Sequence, residues 1–404
     1  MGGAMSVLEI GPAELVEQAR AQDVYFYLET IEEYLSANRV RVTGWGDMLM
    51  LGGYSYLGLI GHPAIDEAAH RAIEKFGTGT HGVRMLAGTL SIHRELEAKI
   101  AQFKGTEAAA TFSSGFFANV STIAALGGSE DTVICDKLDH ASIVDGCLLS
   151  GAKFVRFNHN DMAHLERCLR NPTYPGRRLV VVDGVYSMDG DIANLPEISR
   201  LCREFGATLM VDEAHSVGTL GATGHGIEEH FGLPDDTIDI KMGTLSKAIP
   251  SVGGYIASSQ SVCDYLYHKA RGFVYSGALP PASAAAALAA FEVIEREPER
   301  VAALHANAAY FADGLREAGF SFRDSKTAVF PIMCWDEWQA GRLARACHRR
   351  GVFVQAIPHP VVPKGQARLR AAVSATHTRD ELDFCLTVLR EGAEEIGGIL
   401  GVEE

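Results

Sequence analysis

The chain has 404 residues, of which 47% are hydrophobic and 22% charged, and its formal net charge is −15. This composition is typical of a globular protein that is long enough to form two domains. The excess of acidic residues argues against nucleic acid as the main partner, because binding to phosphates needs a basic surface.

The sequence contains no apolar run long enough to span a membrane, and the N-terminal stretch MGGAMSVLEIGPAELVEQAR lacks the basic start and apolar centre of a signal peptide. The eight cysteines are scattered, without CxxC pairs or closely spaced histidines. We therefore expect reduced core cysteines in a cytoplasmic protein, with neither disulfides nor a metal site.

Short apolar, β-branched runs in the middle of the chain predict strands: LVVVDGVYS (179–187), ATLMVDEAH (207–215), TIDIKMGT (237–244) and YIASS (255–259). The segment between the first two has helical spacing. Asn194 and Glu197 are predicted to cap that helix and Gly206 to end it. Alternating strands and helices predict an α/β fold, with a mainly parallel sheet covered by helices on both faces.

The C-terminal part has a different pattern. Residues 299–320 predict a helix, ARLRAAVSA (367–375) predicts a strand with one solvent-exposed face, and Thr378 with Glu381 predicts a capping box. We therefore expect a smaller α+β domain here. The predicted division is an N-terminal segment (1–60), a large α/β domain (61–295) and a small domain (296–404).

Lys247 and Asp212 are predicted to follow the carboxyl ends of two strands, where ligands bind in such sheets. Lys247 has small and hydroxylated neighbours, and a lysine in a dry pocket has a lowered pKa and can condense with an aldehyde. The alternative is a solvated surface lysine. Asp212, in VDEAH, reads as a buried carboxylate that needs a cation, or else as a helix cap. A helicase acidic box is disfavoured because no G-x-x-x-x-G-K-[ST] motif occurs.

Two further fragments suggest ligand contacts. In TFSSGFFAN, Ser114 and Gly115 precede a predicted helix (116–125), whose free backbone N–H groups could bind a phosphate or could simply be capped. In DKLDHASIVDG, His140 is either a structural histidine or one that stacks on a ligand ring. A lysine for an aldehyde, a carboxylate for a ring cation, a phosphate cradle and a stacking ring together describe a pyridoxal phosphate site.

The ordered motifs SSGFFAN, DxxxHAS, VYSMDGD, VDEAHSVG, GTLSK, YSGALPP and RLRxxxSATHT resemble the α-oxoamine synthase family, and the resemblance extends from residue 51 to residue 378. These are fold-type I pyridoxal-phosphate transferases that join an amino acid to an acyl thioester with loss of CO₂. Within the family, the motifs look most like those of soluble bacterial serine palmitoyltransferase. The 8-amino-7-oxononanoate and 2-amino-3-oxobutyrate synthases share most of them.

The resemblance implies catalytic roles for four residues. Lys247 would bind the cofactor as a Schiff base and later remove the α-proton, while Asp212 would pair with the pyridinium nitrogen. His215 would bond the phenolic oxygen of the ring, with Ser187 nearby. His140 would stack on the ring and contact the substrate carboxylate.

The resemblance also implies the phosphate contacts. These would come from Ser114, Gly115, Phe116, Thr244 and Ser246 of the same chain. Ser276 matches a residue that reaches the phosphate from a neighbouring subunit, so a homodimer is expected.

Arg370 and Ser55 are the expected contacts to the amino-acid substrate. Arg370 matches the family arginine that binds the carboxylate; otherwise it would be a solvated arginine of an edge strand. Arg368 lies on the same face of the predicted strand and takes the role of Arg370 if the alignment is shifted by two residues. Ser55 stands where an asparagine is usual. His81 and Val83, together with Gly277 and Ala278 in YSGALPP, also depart from the family pattern.

These departures leave open the amino acid, the acyl chain and its carrier, which could be coenzyme A or an acyl carrier protein. Two other classes also stay open. One is another fold-type I enzyme, such as an aminotransferase or a lyase, which would lack the HAS histidine together with the LRxxxSAxHT ending. The other is a non-catalytic binding protein, which would be expected to have lost Lys247, Asp212 or His140.

Overall fold

The computed structural model describes residues 12–21, 25, 27–323 and 325–398. The start of the stretch in which we expect no signal peptide, residues 1–11, lies outside the described residues. Among the residues that are described, no helix is both long and apolar enough to cross a membrane.

The centre of the molecule is a seven-stranded sheet with the spatial order β4-β10-β9-β8-β7-β5-β6. Three N-terminal strands come earlier in the chain and belong to another sheet: β1 (Ile31–Ser36), β2 (Arg39–Val42) and β3 (Gly46–Met50). The strands of the central sheet are β4 (Ala108–Phe112), β5 (Thr132–Asp136), β6 (Lys153–Phe157), β7 (Arg178–Asp183), β8 (Thr208–Asp212), β9 (Ile240–Ser246) and β10 (Pro250–Ser258). Strands β5 to β9 run parallel, and β10 pairs antiparallel with both β9 and β4. The predicted mainly parallel sheet is confirmed.

The helices of the described residues are α1 (Pro12–Ala21), α2 (Pro63–Phe76), α3 (Ser91–Phe103), α4 (Gly115–Leu126), α5 (Ala141–Ser150), α6 (Met162–Arg170), α7 (Leu195–Phe205), α8 (Ile227–Phe231), α9 (Gln260–Lys269), α10 (Arg271–Val274), α11 (Pro281–Arg296), α12 (Glu299–Glu317), α13 (Glu337–Arg349) and α14 (Arg379–Glu395). A short π-helix covers Arg84–Gly88.

The central sheet is buried on both faces. In β7, Val180 and Val182 pack with α6 and α7, whereas Leu179 and Val181 pack with α4 and α5 on the other face. This is the alternation expected of a strand covered by helices on both sides. All eight cysteines are buried, as the sequence predicts for core residues.

The small domain is built around a three-stranded antiparallel sheet, β11 (Val329–Trp335), β14 (Ala367–Ala372) and β13 (Gln355–Ile357). The short strand β12 (Val352–Phe353) pairs in parallel with β3, so the N-terminal strands extend a sheet to which the small domain contributes. The strands of the predicted N-terminal segment (1–60) are therefore joined to the C-terminal part of the chain through this sheet.

Local signals differ in how well they predict the caps. The capping box of Thr378 and Glu381 is confirmed, and Gly206 ends α7 with a positive φ of 62°. The cap predicted at the start of α7 is wrong, because the Asn194 side chain makes no capping hydrogen bond and Glu197 pairs with Arg200.

The exposed face predicted for β14 is also wrong. All six of its residues are buried, because the strand is the central one of its sheet and α13 packs against it.

Candidate active site

A cavity of about 240 Å³ lies at the carboxyl ends of β7, β8 and β9, where α4 and α5 begin. The sequence-predicted residues that line it are Ser114, Gly115, Phe116, His140, Ser187, Asp212, His215, Thr244, Ser246 and Lys247. The topology therefore brings together ten residues from five separate stretches of the chain. Arg370, Ser276 and Ser55 do not line this cavity.

Lys247 comes directly after the last residue of β9. Its Nζ atom is 2.7 Å from Nε2 of His215. Burial lowers the pKa of Lys247 to about 8, although Asp212 and Asp183 act in the opposite direction. At pH 7 this lowered pKa gives Lys247 a larger neutral fraction than a solvated lysine has. A neutral amine can attack an aldehyde.

His215 connects Lys247 to a series of hydrogen bonds. Its Nδ1 atom is 2.8 Å from the Tyr56 hydroxyl, which accepts a bond of 3.0 Å from Nη2 of Arg370. Burial, helped by the charges of Lys247 and Arg370, holds the pKa of His215 well below its usual range. His215 is therefore neutral, with one nitrogen as donor and the other as acceptor.

One placement of protons gives each of these hydrogen bonds both a donor and an acceptor. Arg370 donates to the Tyr56 oxygen, the Tyr56 hydroxyl donates to Nδ1 of His215, and Nε2–H of His215 donates to the Lys247 nitrogen. This arrangement requires a neutral lysine. With a charged lysine the imidazole must reverse, and the Tyr56 proton loses its acceptor. The hydrogen bonds thus favour the reactive form of Lys247.

Arg370 lies in the middle of β14 and is only 3% exposed. Its Nε atom donates to the Ser187 carbonyl at 2.8 Å, and its Nη1 atom has no hydrogen-bond partner among the described residues. An unpaired guanidinium nitrogen is costly to bury, so its presence points to a missing acceptor. A carboxylate would supply one.

Arg368, the sequence-based alternative to Arg370 as the carboxylate-binding residue, is engaged with other partners. It is 1% exposed, and it pairs with Asp189 at 2.7 Å and with the Met188 carbonyl at 2.9 Å. Its donors are thus engaged in joining β14 to the loop after β7.

Asp212, the last residue of β8, accepts hydrogen bonds from Nδ2 of Asn119 at 2.6 Å and from the Ala214 amide at 2.8 Å. The neighbouring Asp183 also lines the cavity, and its Oδ1 atom is buried without a partner. Burial and the charge of Asp212 raise the pKa of Asp183 well above its usual range. The raised pKa favours the protonated form of Asp183. Asp212 accepts two hydrogen bonds, which suit a carboxylate at the cavity wall.

His140 caps the start of α5 and keeps part of its ring accessible. Its Nδ1 atom lies 2.7 Å from the Ser142 hydroxyl, and its backbone amide donates to Asp183 at 3.1 Å. Burial lowers the pKa of His140, which favours the neutral imidazole. A fixed, neutral and accessible ring at a cavity wall is suited to contact a flat ligand.

The start of α4 has the features of an anion cradle. Ser114 caps the helix by accepting from the Phe117 amide, which leaves the first amides of the helix directed outwards. A Cβ atom added to Gly115 would come within 3.0 Å of Oγ1 of Thr244, so only glycine fits comfortably there. The Thr244 hydroxyl lies 2.9 Å from that of Ser246. Two hydroxyls and a helix N-terminus fit a phosphate.

Ser276 lies close to this cradle in the same chain, with its hydroxyl 3.4 Å from that of Ser113. Two of the stretches that depart from the family pattern meet beside it, because Val83 and Gly277 form an isolated antiparallel bridge. The departures at these two positions are thus one local feature.

Ser55 lies in a separate small cavity against Ala372 and Ser374, and its carbonyl accepts from the Ser374 hydroxyl. The flanking residues are the ones that reach the site. Tyr54 and Tyr56 both place their rings near that of His215. Our sequence reasoning missed both tyrosines, although side chains on alternate residues of an extended segment usually share one side.

The matching family model is "Aminotransferase class I and II", over residues 46–389. Among curated proteins, the chain is 46% identical to an 8-amino-7-oxononanoate synthase of Geobacter metallireducens, over 96% of this chain and 99% of the relative. A synthase of the same name from Geotalea daltonii is 43% identical, over 95% and 98%.

Solved structures give the same picture. A variant serine palmitoyltransferase from S. paucimobilis with a bound PLP–myriocin aldimine superimposes with a TM-score of 0.93 at 33% identity, covering 98% of this chain and all of that one. An 8-amino-7-oxononanoate synthase from Francisella tularensis has a TM-score of 0.74 at 26% identity, over 87% and 99%.

Proposed function

The chain belongs to the class I and II aminotransferase family and, within it, to the α-oxoamine synthases, and from this membership we propose that its substrates are alanine and a dicarboxylic acyl thioester. It is a pyridoxal-phosphate-dependent acyltransferase that joins an α-amino acid to an acyl thioester. The new bond links the α-carbon to the acyl carbon. The carboxyl group leaves as CO₂ and the α-carbon takes up a proton in its place, while the thiolate that leaves the acyl carbon is protonated to the free thiol.

The cavity residues divide the work of holding the cofactor. Asp212, as the anion, would pair with the ring nitrogen, and His140 would lie against the ring face. The α4 N-terminus with Thr244 and Ser246 would hold the phosphate. When bound, pyridoxal phosphate accepts the electron pair that is left on the α-carbon.

Lys247 and Arg370 would act on the amino acid. The unpartnered Nη1 atom of Arg370 would bind its carboxylate, and Nζ of Lys247 would take the α-proton. His215, held neutral between Lys247 and Tyr56, keeps the lysine nitrogen able to accept that proton. This hydrogen-bonded connection between a base and a carboxylate-binding group is the observation that carries the proposal.

The choice of substrates follows from the product that names the curated relatives. In 8-amino-7-oxononanoate, the methyl carbon and the amino-bearing carbon correspond to alanine without its carboxyl group. The other seven carbons correspond to a dicarboxylic acyl chain. The chain is 46% identical to one such synthase, compared with 33% identity to the serine palmitoyltransferase from S. paucimobilis. Alanine is therefore favoured over serine.

A two-way substrate panel tests this proposal. Glycine, alanine and serine are each combined with heptanedioyl and palmitoyl groups, carried on coenzyme A and on an acyl carrier protein. CO₂, free thiol and product mass are measured. We expect the highest kcat/KM for alanine with the heptanedioyl donor. Faster turnover of serine with palmitoyl donors would refute the choice. Transamination without release of free thiol would instead support an aminotransferase.

The active unit is proposed to be a cytoplasmic homodimer. Two large apolar side chains are exposed in the stretches that hold Val83 and Gly277, with Leu86 85% and Tyr275 73% exposed. Their stretches are joined by the bridge between Val83 and Gly277. Such a patch is costly in water and is typical of an interface. Sedimentation velocity should give a dimer, and Leu86→Lys should shift it towards monomer. A monomeric parent protein would refute the proposal.

A further inference from the structure

We propose that the ring of Tyr54 sets the size of the amino-acid side chain that the enzyme accepts. This inference rests on the proposed function, because it takes Arg370 and Lys247 as the groups that hold and deprotonate the amino acid. Tyr54 is not among the family residues carried over from the sequence, and it makes its contacts through its ring.

The Tyr54 ring lies beside three functional groups at once. Its centroid is 4.7 Å from the Arg370 guanidinium carbon and 5.7 Å from Nζ of Lys247, and it is 5.9 Å from the ring of His215. The Arg370 guanidinium and the Lys247 nitrogen both lie over the aromatic face, and this face attracts the positive charge of the guanidinium. The ring thus borders the space between the carboxylate-binding group and the base.

The position of this ring constrains any bound amino acid. A carboxylate on Arg370 and an α-hydrogen directed at Lys247 fix two of the substituents on the α-carbon. The molecule must then span the gap that the Tyr54 ring flanks. A small amino-acid side chain fits beside the fixed Tyr54 ring. Each methylene added to that side chain must push the ring aside or shift the substrate from its position.

Tyr54 is also placed to act as an outer wall. It is 42% exposed, whereas Arg370 and His215 on its inner side are 3% and 7% exposed. Its hydroxyl makes no hydrogen bond to any residue that the structure describes, so the ring and not the hydroxyl makes the contacts. Removal of the hydroxyl should therefore matter little, and removal of the ring should open the pocket towards solvent.

The test compares Tyr54→Ala with Tyr54→Phe in the cofactor-loaded enzyme. Glycine, alanine, 2-aminobutyrate and norvaline are titrated, following the visible cofactor band, and kcat/KM is measured with one fixed acyl donor. One methylene in an apolar pocket changes selectivity by about 10- to 200-fold. We expect Tyr54→Ala to raise the preference for 2-aminobutyrate relative to alanine by at least about 10-fold. Tyr54→Phe should keep the parent ratio.

Two outcomes overturn the inference. One is an equal loss of affinity for all four amino acids in Tyr54→Ala, which would mean that the ring only positions Arg370. The other is an unchanged ratio between amino acids. Tyr54→Leu serves as a second variant if Tyr54→Ala does not fold, and an intermediate ratio is expected from it.

The same titrations separate this inference from the proposed function. If the parent enzyme does not use alanine, the substrate assignment fails. The size series still tests Tyr54 with whichever amino acids shift the cofactor band, because the comparison is between side chains of different length. A failure of Tyr54 to affect that series leaves the alanine assignment intact.

Discussion

The two sides of the active site are built in different ways. The side that fits the cofactor comes from the large domain alone, from the ends of β7, β8 and β9 and the starts of α4 and α5. The side that fits the amino acid is assembled from Tyr54 and Tyr56, the Ser187 carbonyl and Arg370 in the small domain. The first side is positioned by local structure and the second by tertiary contacts.

This difference has a mechanical consequence. Asp212 is held by Asn119 of α4 and by the Ala214 amide of its own turn, so its position depends on contacts within the large domain. Arg370 reaches the site only while the small domain packs against the loop after β7, through bonds to Ser187 and Tyr56. Substrate recognition should therefore be more sensitive than cofactor binding to changes at the domain boundary.

The largest effect is expected for Lys247→Ala. This change removes both the amine that condenses with the aldehyde and the base for the α-proton, and proton transfer alone contributes about 10²- to 10⁴-fold. Product formation, measured by CO₂ and free thiol, should fall by at least that factor. Cofactor should still bind through its phosphate and ring contacts, without a covalent bond that borohydride can fix.

A control for this variant is Lys153→Ala, at the exposed start of β6. It should behave like the parent in both assays. Turnover by Lys247→Ala within tenfold of the parent would exclude Lys247 as the central residue of the cofactor side.

The adjacent carboxyl groups offer a matched pair. Asp212→Asn removes the carboxylate proposed to pair with the ring nitrogen, whereas Asp183→Asn replaces a side chain whose raised pKa favours the neutral form. Loss of one preorganised electrostatic group costs about 10²- to 10³-fold. Exchange of the amino-acid α-proton, followed by NMR in D₂O, should fall by that factor in Asp212→Asn and by much less in Asp183→Asn. Equal losses would mean that the two carboxyls share the charge.

The sequence could predict the cofactor side because its signals are local. Lys247 follows an alternating strand, and Ser114 and Gly115 stand at a predicted helix start, so each is placed by a few neighbouring residues. The order of these motifs then identified the family. The order of the motifs therefore predicted the chemistry of the site better than any single motif did.

The amino-acid side was harder to predict for a physical reason. Arg370 was found from its motif, but the burial of Arg368 depends on Asp189, 179 residues away in the chain. The contacts of Tyr54 and Tyr56 with Arg370 likewise join the two ends of the chain. Strand periodicity shows which residues share a face but not whether another domain covers that face.

A smaller effect is expected for Arg370→Lys, which keeps the charge and loses the planar fork. A charge-assisted hydrogen bond contributes about 1.5–3 kcal/mol, or about 10- to 150-fold in affinity. The midpoint for alanine, titrated against the visible cofactor band, should rise by that factor. The KM for the acyl thioester should stay near the parent value, because the proposal assigns Arg370 to the amino-acid carboxylate.

Arg368→Lys is the comparison, with a different expected outcome. It should lower the melting temperature, because it disturbs a buried pair with Asp189, and it should leave the alanine midpoint nearly unchanged. If Arg368→Lys weakened alanine binding while Arg370→Lys did not, the two arginines would have exchanged roles.

The smallest effect is expected for Tyr56→Phe, which removes the hydroxyl that links the two sides of the site. Without that donor, His215 can reverse its tautomer and accept a hydrogen bond from the charged form of Lys247. The charged form is then stabilised, so the pKa of Lys247 should rise from about 8 towards its ordinary value. One hydrogen bond contributes about 0.5–1.5 kcal/mol, which limits the shift to about one pH unit.

The rate at which the cofactor-free protein forms its covalent bond with pyridoxal phosphate depends on the neutral amine. This rate should therefore increase through pH 8 in the parent and at higher pH in Tyr56→Phe. An unchanged or lower midpoint would show that the tyrosine does not control the proton on Lys247.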